Sequence, residues 1–395
     1  MDFSFSDEQK LLKDSIDRFL EKNYSFELRQ SMINERQTMS AEVWQGLAGL
    51  GVLGVPFSDE YGGFGGGGIE TMLIMESLGN HLVIEPYLST VILAGGLVDR
   101  GAADWQKQII LPGIIDGSML LSFAHAEPQS RFSVNHVETV AKPDGSNWVI
   151  EGKKSLVLHG PAAEKVIVSA RTSGEVNDLE GVSLFIVECD EEALGGHEYP
   201  LYDGTRVLDL QLNRVKVGSD SLIGPIGKAM PLIMEIIDRA VAALCAEAVG
   251  VMDRTHQMTL DYLKTREQFG VPIARFQALQ HKSVDMFINL EQARSMSVLA
   301  SGSLGFSSSL ERSKAVAAAK DFIGRAGRSL GQEAIQLHGG MGMTQELAVG
   351  HYFKRLEAID VMFGNSSHHR REFANFEAQD YPIEYTQPRK KWKQI

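Results

Sequence analysis

The chain has 395 residues, 44% of them hydrophobic, enough for about two or three domains with substantial cores. Its 38 Lys and Arg stand against 51 Asp and Glu, and a net charge of −13 argues against a nucleic-acid surface, which needs a basic face. Two cysteines, Cys189 and Cys245, form neither a disulfide framework nor a metal quartet, so no metal site is expected.

The opening Met1-Asp2-Phe3-Ser4-Phe5-Ser6-Asp7-Glu8 has no basic n-region and no apolar h-region. No apolar run approaches the roughly 18 residues of a membrane span. A reducing, cytoplasmic setting is the expectation. The one basic run, Arg389-Lys390-Lys391-Trp392-Lys393, reads as a solvated terminus.

Residues 1–118 read as an N-terminal helical domain. Ser6 and Gln9 make a capping-box start, and Leu12, Ile16, Phe19 and Leu20 then fall on one helical stripe. A second helix runs from Ala41 to Leu50. The glycine-rich stretch from Asp59 to Gly68 has no preceding strand and no following Lys-Ser/Thr. It is therefore read as a flexible connection to a helix at Glu70–Leu78 rather than a phosphate loop. Residues 119–223 change texture. Trp148–Ile150, Lys165–Val168, Ser183–Val187 and Val207–Leu212 are short β-rich runs separated by Asp-Gly, Gly-Pro and Gly-Gly steps. They predict a middle antiparallel β-domain. Residues 224–395 return to helix, with segments at Met230–Arg266, Phe276–Ala300, Leu310–Gly331 and after Ser366. Four such segments describe a C-terminal four-helix bundle. The fold class is α+β.

Two motifs carry chemistry. Arg266-Glu-Gln-Phe-Gly270 closes a long helix with a cation, an aromatic ring and a glycine turn, and Phe276-Gln277 follows. Gln336-Leu-His-Gly-Gly340-Met-Gly-Met343 leads an amide into a Gly-Gly step, where backbone N–H groups can approach a phosphate. Cation, stacking ring, amide and glycine nest suit the pyrophosphate and adenosine of a dinucleotide. His338 has no companion ligand at suitable spacing and reads as a packing residue.

In this combination the motifs resemble the FAD-contacting motifs of the acyl-CoA dehydrogenases, and the order helix, β, helix is similar to that family's. The resemblance implies FAD as cofactor, an acyl-CoA thioester as substrate, α,β-dehydrogenation as reaction and electron-transfer flavoprotein as acceptor. It also implies an FAD shared across a subunit interface. Arg266, Phe269, Gln277, Gln336, Gly339 and Gly340 would then bind the pyrophosphate and adenosine of a flavin whose ring lies on the other subunit.

The chain departs from the family where the ring and the catalytic base belong. Ala126-Glu127-Pro128-Gln129-Ser130-Arg131-Phe132-Ser133 keeps the Glu-Pro pair of the β-domain loop and loses its glycine and hydroxyl donors. Leu156 and Leu158 stand where a tryptophan and a threonine usually face the ring. The two positions at which the family keeps its glutamate base match Gly364 and Ala240. Glu247, seven residues past Ala240 in an apolar run, is the competing candidate, and its other reading is a buried partner of an Arg or Lys. His368-His369 is a weaker proton acceptor, because adjacent residues at a helix start point apart.

These departures resemble the small subunits of heteromeric family members, such as pimeloyl-CoA dehydrogenase and the steroid side-chain enzymes. The implied reading is a partner subunit of a heterotetramer. A self-sufficient homo-oligomer with a relocated base or base-independent chemistry, and a flavin-free scaffold, are the alternatives.

Overall fold

The computed structural model describes residues 5–189 and 194–380. Met1–Ser4 and the basic run from Arg389 lie outside the described residues.

Helix α1 (Asp7–Asn23) starts at the expected box, with Gln9 N donating to Ser6 Oγ at 3.1 Å and Ser6 N to Gln9 Oε1 at 2.9 Å. Ile16 and Leu20 are buried from its stripe. Helices α2 (Phe26–Asn34), α3 (Ala41–Gly49) and α4 (Gly68–Asn80) follow. The glycine-rich stretch before α4 is folded back rather than slack. Phe64 N donates to Gly54 O at 3.1 Å, Gly65 N to Phe57 O at 2.7 Å and Gly66 N to Val55 O at 2.7 Å. A buried π-helical segment, Tyr87–Gly95, runs into α5 (Gly96–Gly101), and α6 (Asp104–Ile115) closes this part.

The middle part holds β1 (Leu121–Ala124), β2 (Val140–Asp144), β3 (Asn147–Leu158), β4 (Lys165–Arg171), β5 (Val182–Glu188), β6 (Leu194–Pro200), β7 (Arg206–Gly218) and β8 (Leu222–Ile223). Its strand order is β6-β7-β3-β2-β4-β5-β8. The long ladders are antiparallel as expected. The sheet as a whole is mixed, however, because β1 pairs parallel with β4 and β2 touches β4 in parallel at Val140–Arg171. A register shift between Lys154 and Val157 bulges β3 and leaves Leu156 at φ 55°.

The last part contains α7 (Met230–Thr265), a hairpin of β9 (Glu267–Gln268) and β10 (Val271–Pro272), α8 (Gln277–Ser303), α9 (Ser309–His338), α10 (Val349–Val361) and α11 (Ser366–Asp380). This is one helix more than the sequence pattern predicted. The missed α10 has its signal in Val349, Tyr352, Leu356 and Ile359, all buried on one face. Helix α9 also continues past Gly331, whose missing Cβ leaves room for Phe353 of α10.

Helices α4 and α7 meet at glycines. A Cβ on Gly250 would overlap the Glu76 carbonyl oxygen, and one on Gly79 would overlap that of Glu247. This backbone-to-backbone approach sets the depth of Glu247. Gly250→Ala is therefore expected to lower the unfolding free energy by about 2 kcal/mol or more, measured by urea denaturation. An unchanged midpoint would mean that α4 and α7 do not meet there.

Candidate functional site

At the end of α7 the chain turns through Phe269 (φ 55°) and Gly270 (φ 77°), two successive left-handed residues that close the β9–β10 hairpin. The hairpin stands clear of the bundle. Phe269 is 92% exposed and meets Phe276 edge-on at 6.0 Å, and Arg266 and Gln277 are exposed beside it. Helix α9 ends at Gly339 (φ 61°). No atom lies within 4 Å of where a Cβ would stand on Gly270, Gly339 or Gly340. Gln336 is exposed on the last turn of α9. His338 instead turns inward, stacking on Tyr262 at 4.4 Å with Nδ1 on the Ala334 carbonyl at 2.8 Å. An apolar surface continues from the hairpin, with Val284, Phe287, Ile288, Met341 and Met343 each about half exposed or more.

The β-domain loop faces a second region. Glu127 is buried and accepts from Glu138 N at 2.7 Å, Thr139 N at 3.0 Å and Lys154 Nζ at 2.8 Å. These donors hold its carboxyl below the usual carboxylate range against the cost of burial. Burial pulls Lys154 down to about 8, opposed by Glu127. The Glu-Pro pair thus anchors the loop from beneath. Above it opens an apolar pocket of about 290 Å³, lined from the β-domain by Arg131, Phe132, Leu156 and Leu158 and from the bundle by Met362 and Phe363. The four departures from the ring-binding pattern are brought together on this one surface. Arg131 holds φ 51°, a left-handed backbone, at the place matched to the family's loop glycine.

Gly364 (φ 104°) follows α10, and a Cβ there would overlap His368 Cδ2 and approach His369 Nε2 to 2.9 Å. Lys320 fixes the turn from behind, donating to Ile359 O at 2.6 Å, Asp360 O at 2.8 Å and Gly364 O at 3.1 Å. Ala240 is fully buried in α7. The rings of His368 and His369 do not diverge as expected but touch edge-on at 5.2 Å. Burial lowers His369 to about 3, and it is bonded to the Phe363 carbonyl at 2.9 Å, so it sits there as a neutral donor.

Glu247 has a partner that the sequence did not identify. Arg355 of α10 donates to its two oxygens at 2.6 and 2.8 Å and to Asp203 of the β-domain at 2.6 Å. Asp203 also accepts, through its carbonyl, from Arg29 of α2 at 2.6 Å. Behind the apolar pocket, across Leu158 and Met362, lies a cavity of about 30 Å³ bordered by Glu85, His159, Glu247 and Arg355. It has room for about one or two waters. Burial lowers His159 to about 4, and its two ring nitrogens face Ser89 Oγ and the Ile84 carbonyl. Glu85 accepts from Ser40 N at 3.2 Å through one oxygen, and its other oxygen has no partner among the described residues. Burial pushes Glu85 up to about 7.

Comparison with known proteins places this geometry. The N-terminal, middle and C-terminal domain models of acyl-CoA dehydrogenase match residues 6–118, 122–215 and 227–376. The chain belongs to the acyl-CoA dehydrogenase family. Acyl-CoA dehydrogenase FadE12 of Mycobacterium tuberculosis is 29% identical over 355 residues, which are 88% of this chain and 90% of that one. A variant of the Tcur3481–Tcur3483 steroid acyl-CoA dehydrogenase has a TM-score of 0.85 at 26% identity, covering 94% and 98% of the two chains. The ChsE4–ChsE5 complex of Mycobacterium tuberculosis shares the fold, with a TM-score of 0.87 at 23% identity over 96% and 99%.

The family's cofactor is FAD. The residues present fit one half of it. The open glycine step at Gly339-Gly340 and the exposed Arg266, Phe269 and Gln336 suit a pyrophosphate and adenine, whereas the pocket under Arg131 and Leu156 offers an apolar wall where a flavin ring needs polar partners.

The buried carboxyl predicts a pH signature. Glu85 is raised from 4.5 to about 7 in the fold, so the folded state holds its proton more tightly than the unfolded chain. The stability this contributes is complete below about pH 4.5 and is lost as pH rises through 7, by about 3 kcal/mol. Glu85→Gln keeps an acceptor for Ser40 N and cannot ionise. Its melting temperature relative to the unsubstituted chain is expected to climb between pH 5 and 8, and a difference that is flat with pH would contradict the assignment.

Proposed function

We propose that this chain is the partner subunit of a heteromeric FAD-dependent acyl-CoA dehydrogenase. Arg266, Phe269, Gln277, Gln336, Gly339 and Gly340 hold the pyrophosphate and adenosine of a flavin whose ring, substrate pocket and base lie on a second acyl-CoA dehydrogenase-like chain. Two copies of each chain make a heterotetramer. It oxidises an acyl-CoA at Cα–Cβ and passes electrons to an electron-transfer flavoprotein, in the cytoplasm. Among the described residues, no helix is long and apolar enough to cross a membrane.

One observation carries the reading. The surface that suits the adenosine half is exposed and has open space at each glycine, while the places matched to the base in the same chain hold Gly364 and Ala240, neither of which can take a proton. At Gly364 a side chain would collide with His368, and Ala240 is sealed in the core. The apolar stripe of Val284, Phe287 and Ile288 beside the hairpin supports a neighbouring chain there, since contiguous exposed apolar surface marks contact sites. The two-chain designations of the Tcur3481–Tcur3483 and ChsE4–ChsE5 structures accord with it.

Expressed alone, the chain should be nearly colourless, with FAD well below one per subunit. In the complex, Arg266→Ala should weaken FAD retention about ten- to a hundredfold, since a charge-assisted phosphate contact is worth about 1.5–3 kcal/mol. A yellow chain with stoichiometric FAD, or flavin content unmoved by the substitution, would sink the proposal.

A self-sufficient enzyme with a relocated base is the second reading, and Glu85 is the observation that favours it. Glu247 has both oxygens engaged by Arg355, whereas Glu85 keeps one oxygen unpaired and a proton affinity near neutrality. Exchange of the α-proton of an acyl-CoA in deuterated buffer separates the readings. No exchange is expected from the chain alone, and neither Glu247→Gln nor Glu85→Gln should alter exchange by the complex. Collapse of exchange with either substitution would make that residue the base.

A further inference from the structure

The apolar pocket that has lost its flavin-ring partners is still a built cavity. Among the described residues, eight non-glycine residues hold positive φ, and three of them line this one pocket. Arg131 comes from the loop after β1, Leu156 from the bulge of β3 and Phe363 from the turn after α10. Left-handed backbone at such residues costs about 1–2 kcal/mol each and concentrates where a ligand is clamped. At Arg131, which is exposed at the pocket mouth, glycine would relieve it with no loss of buried packing.

The lining is as uneven in charge as in strain. Thirteen of its nineteen residues are aliphatic or aromatic hydrocarbons or tyrosine, and none is Asp, Glu or Lys. Two of its polar side chains, His125 and Ser130, are already satisfied. His125 is bonded at Nδ1 to Ser169 Oγ and at Nε2 to the Val134 carbonyl, burial lowers it to about 4, and Ser130 Oγ donates to Glu127 O. Among the described residues, Arg131 is without such partners. Its guanidinium forms no ion pair among the described residues, and it is the one fixed cation in the lining. A guanidinium at the mouth of an apolar cavity of about 290 Å³ suits an amphipathic anion whose hydrocarbon body fills the cavity and whose carboxylate stays at the rim.

We infer that this pocket is a binding site for a medium-sized apolar carboxylate, held by Arg131, and not a vestigial flavin-ring site. The inference rests on the reading that this chain leaves the flavin ring to its partner. Leu158 and Met362 form its floor, and the cavity of about 30 Å³ behind them admits water only, so the ligand's length is capped. The occupant is a free acid, whose carboxylate accepts two parallel hydrogen bonds from a guanidinium.

The test is isothermal titration calorimetry of the full chain as purified, with sodium octanoate, sodium hexanoate, 1-octanol and riboflavin as probes. Octanoate is expected to bind about tenfold more tightly than hexanoate, from two fewer buried methylenes in the latter. It should also exceed 1-octanol by about tenfold or more, from the charge-assisted contact. Arg131→Gln and Arg131→Gly should each lower octanoate affinity to the level of 1-octanol and leave 1-octanol unchanged. Arg131→Gly should at the same time melt no lower than the unsubstituted chain, because glycine relieves the left-handed backbone; a loss of binding would then not be a loss of fold. Absence of octanoate binding, binding indifferent to Arg131, or displacement of octanoate by riboflavin would overturn the inference. A yellow chain would instead overturn the partner-subunit reading, while a colourless chain that ignores octanoate fails the present inference alone.

Discussion

The three parts of the molecule are joined at Asp203 by two arginines. Arg355 of α10 bridges Glu247 of α7 and Asp203 of the β-domain, and Arg29 of α2 reaches the backbone of the same Asp203. Opposed charges on both sides keep Arg355 firmly protonated and hold Asp203 below the usual carboxylate range. Such a joint adds little net stability compared with a hydrocarbon core, but removing one member strands a charge and costs about 3–5 kcal/mol. Its effect is positional. It sets α10 against the β-domain, and so sets the distance between the turn at Gly364 and the loop at Arg131 across the apolar pocket.

That joint explains why a conspicuous carboxylate in the sequence has a structural place. Glu247 stood out because it interrupts an apolar run, and desolvation alone would have suited it to proton transfer. Its partner lies 108 residues further along, on the helix that the sequence pattern overlooked. A pairing of that separation is not written in either local segment. The helices around it were legible, because burial of one face imposes a period of 3.6. So were the strand runs in β3, β4, β5 and β7. The parallel pairing of β1 was not, since four buried residues in a row carry no alternation.

The two halves of the candidate site differed in the same way. Arg266, Phe269, Gly339 and Gly340 are local motifs, and the structure puts them at a hairpin tip and a helix end that are both on the surface. The apolar pocket was visible only as a set of departures, at Arg131, Phe132, Leu156 and Leu158. That these converge, that Arg131 keeps a glycine-like backbone, and that Glu85 sits with an unpaired oxygen behind Leu158 are consequences of tertiary packing. Composition carried no information on these contacts.

The proposed function makes the open surface at Arg266 and Gly339-Gly340 one half of a site shared with a second chain. The most direct measurement is the structure, by electron cryo-microscopy, of the FAD-loaded complex purified from its native source. Flavin density is expected with its pyrophosphate at hydrogen-bond distance from Arg266 and the Gly339-Gly340 step of this chain, and with its ring on a different polypeptide. A flavin ring seated between Arg131, Leu156 and Phe363 of this chain would contradict that division of labour.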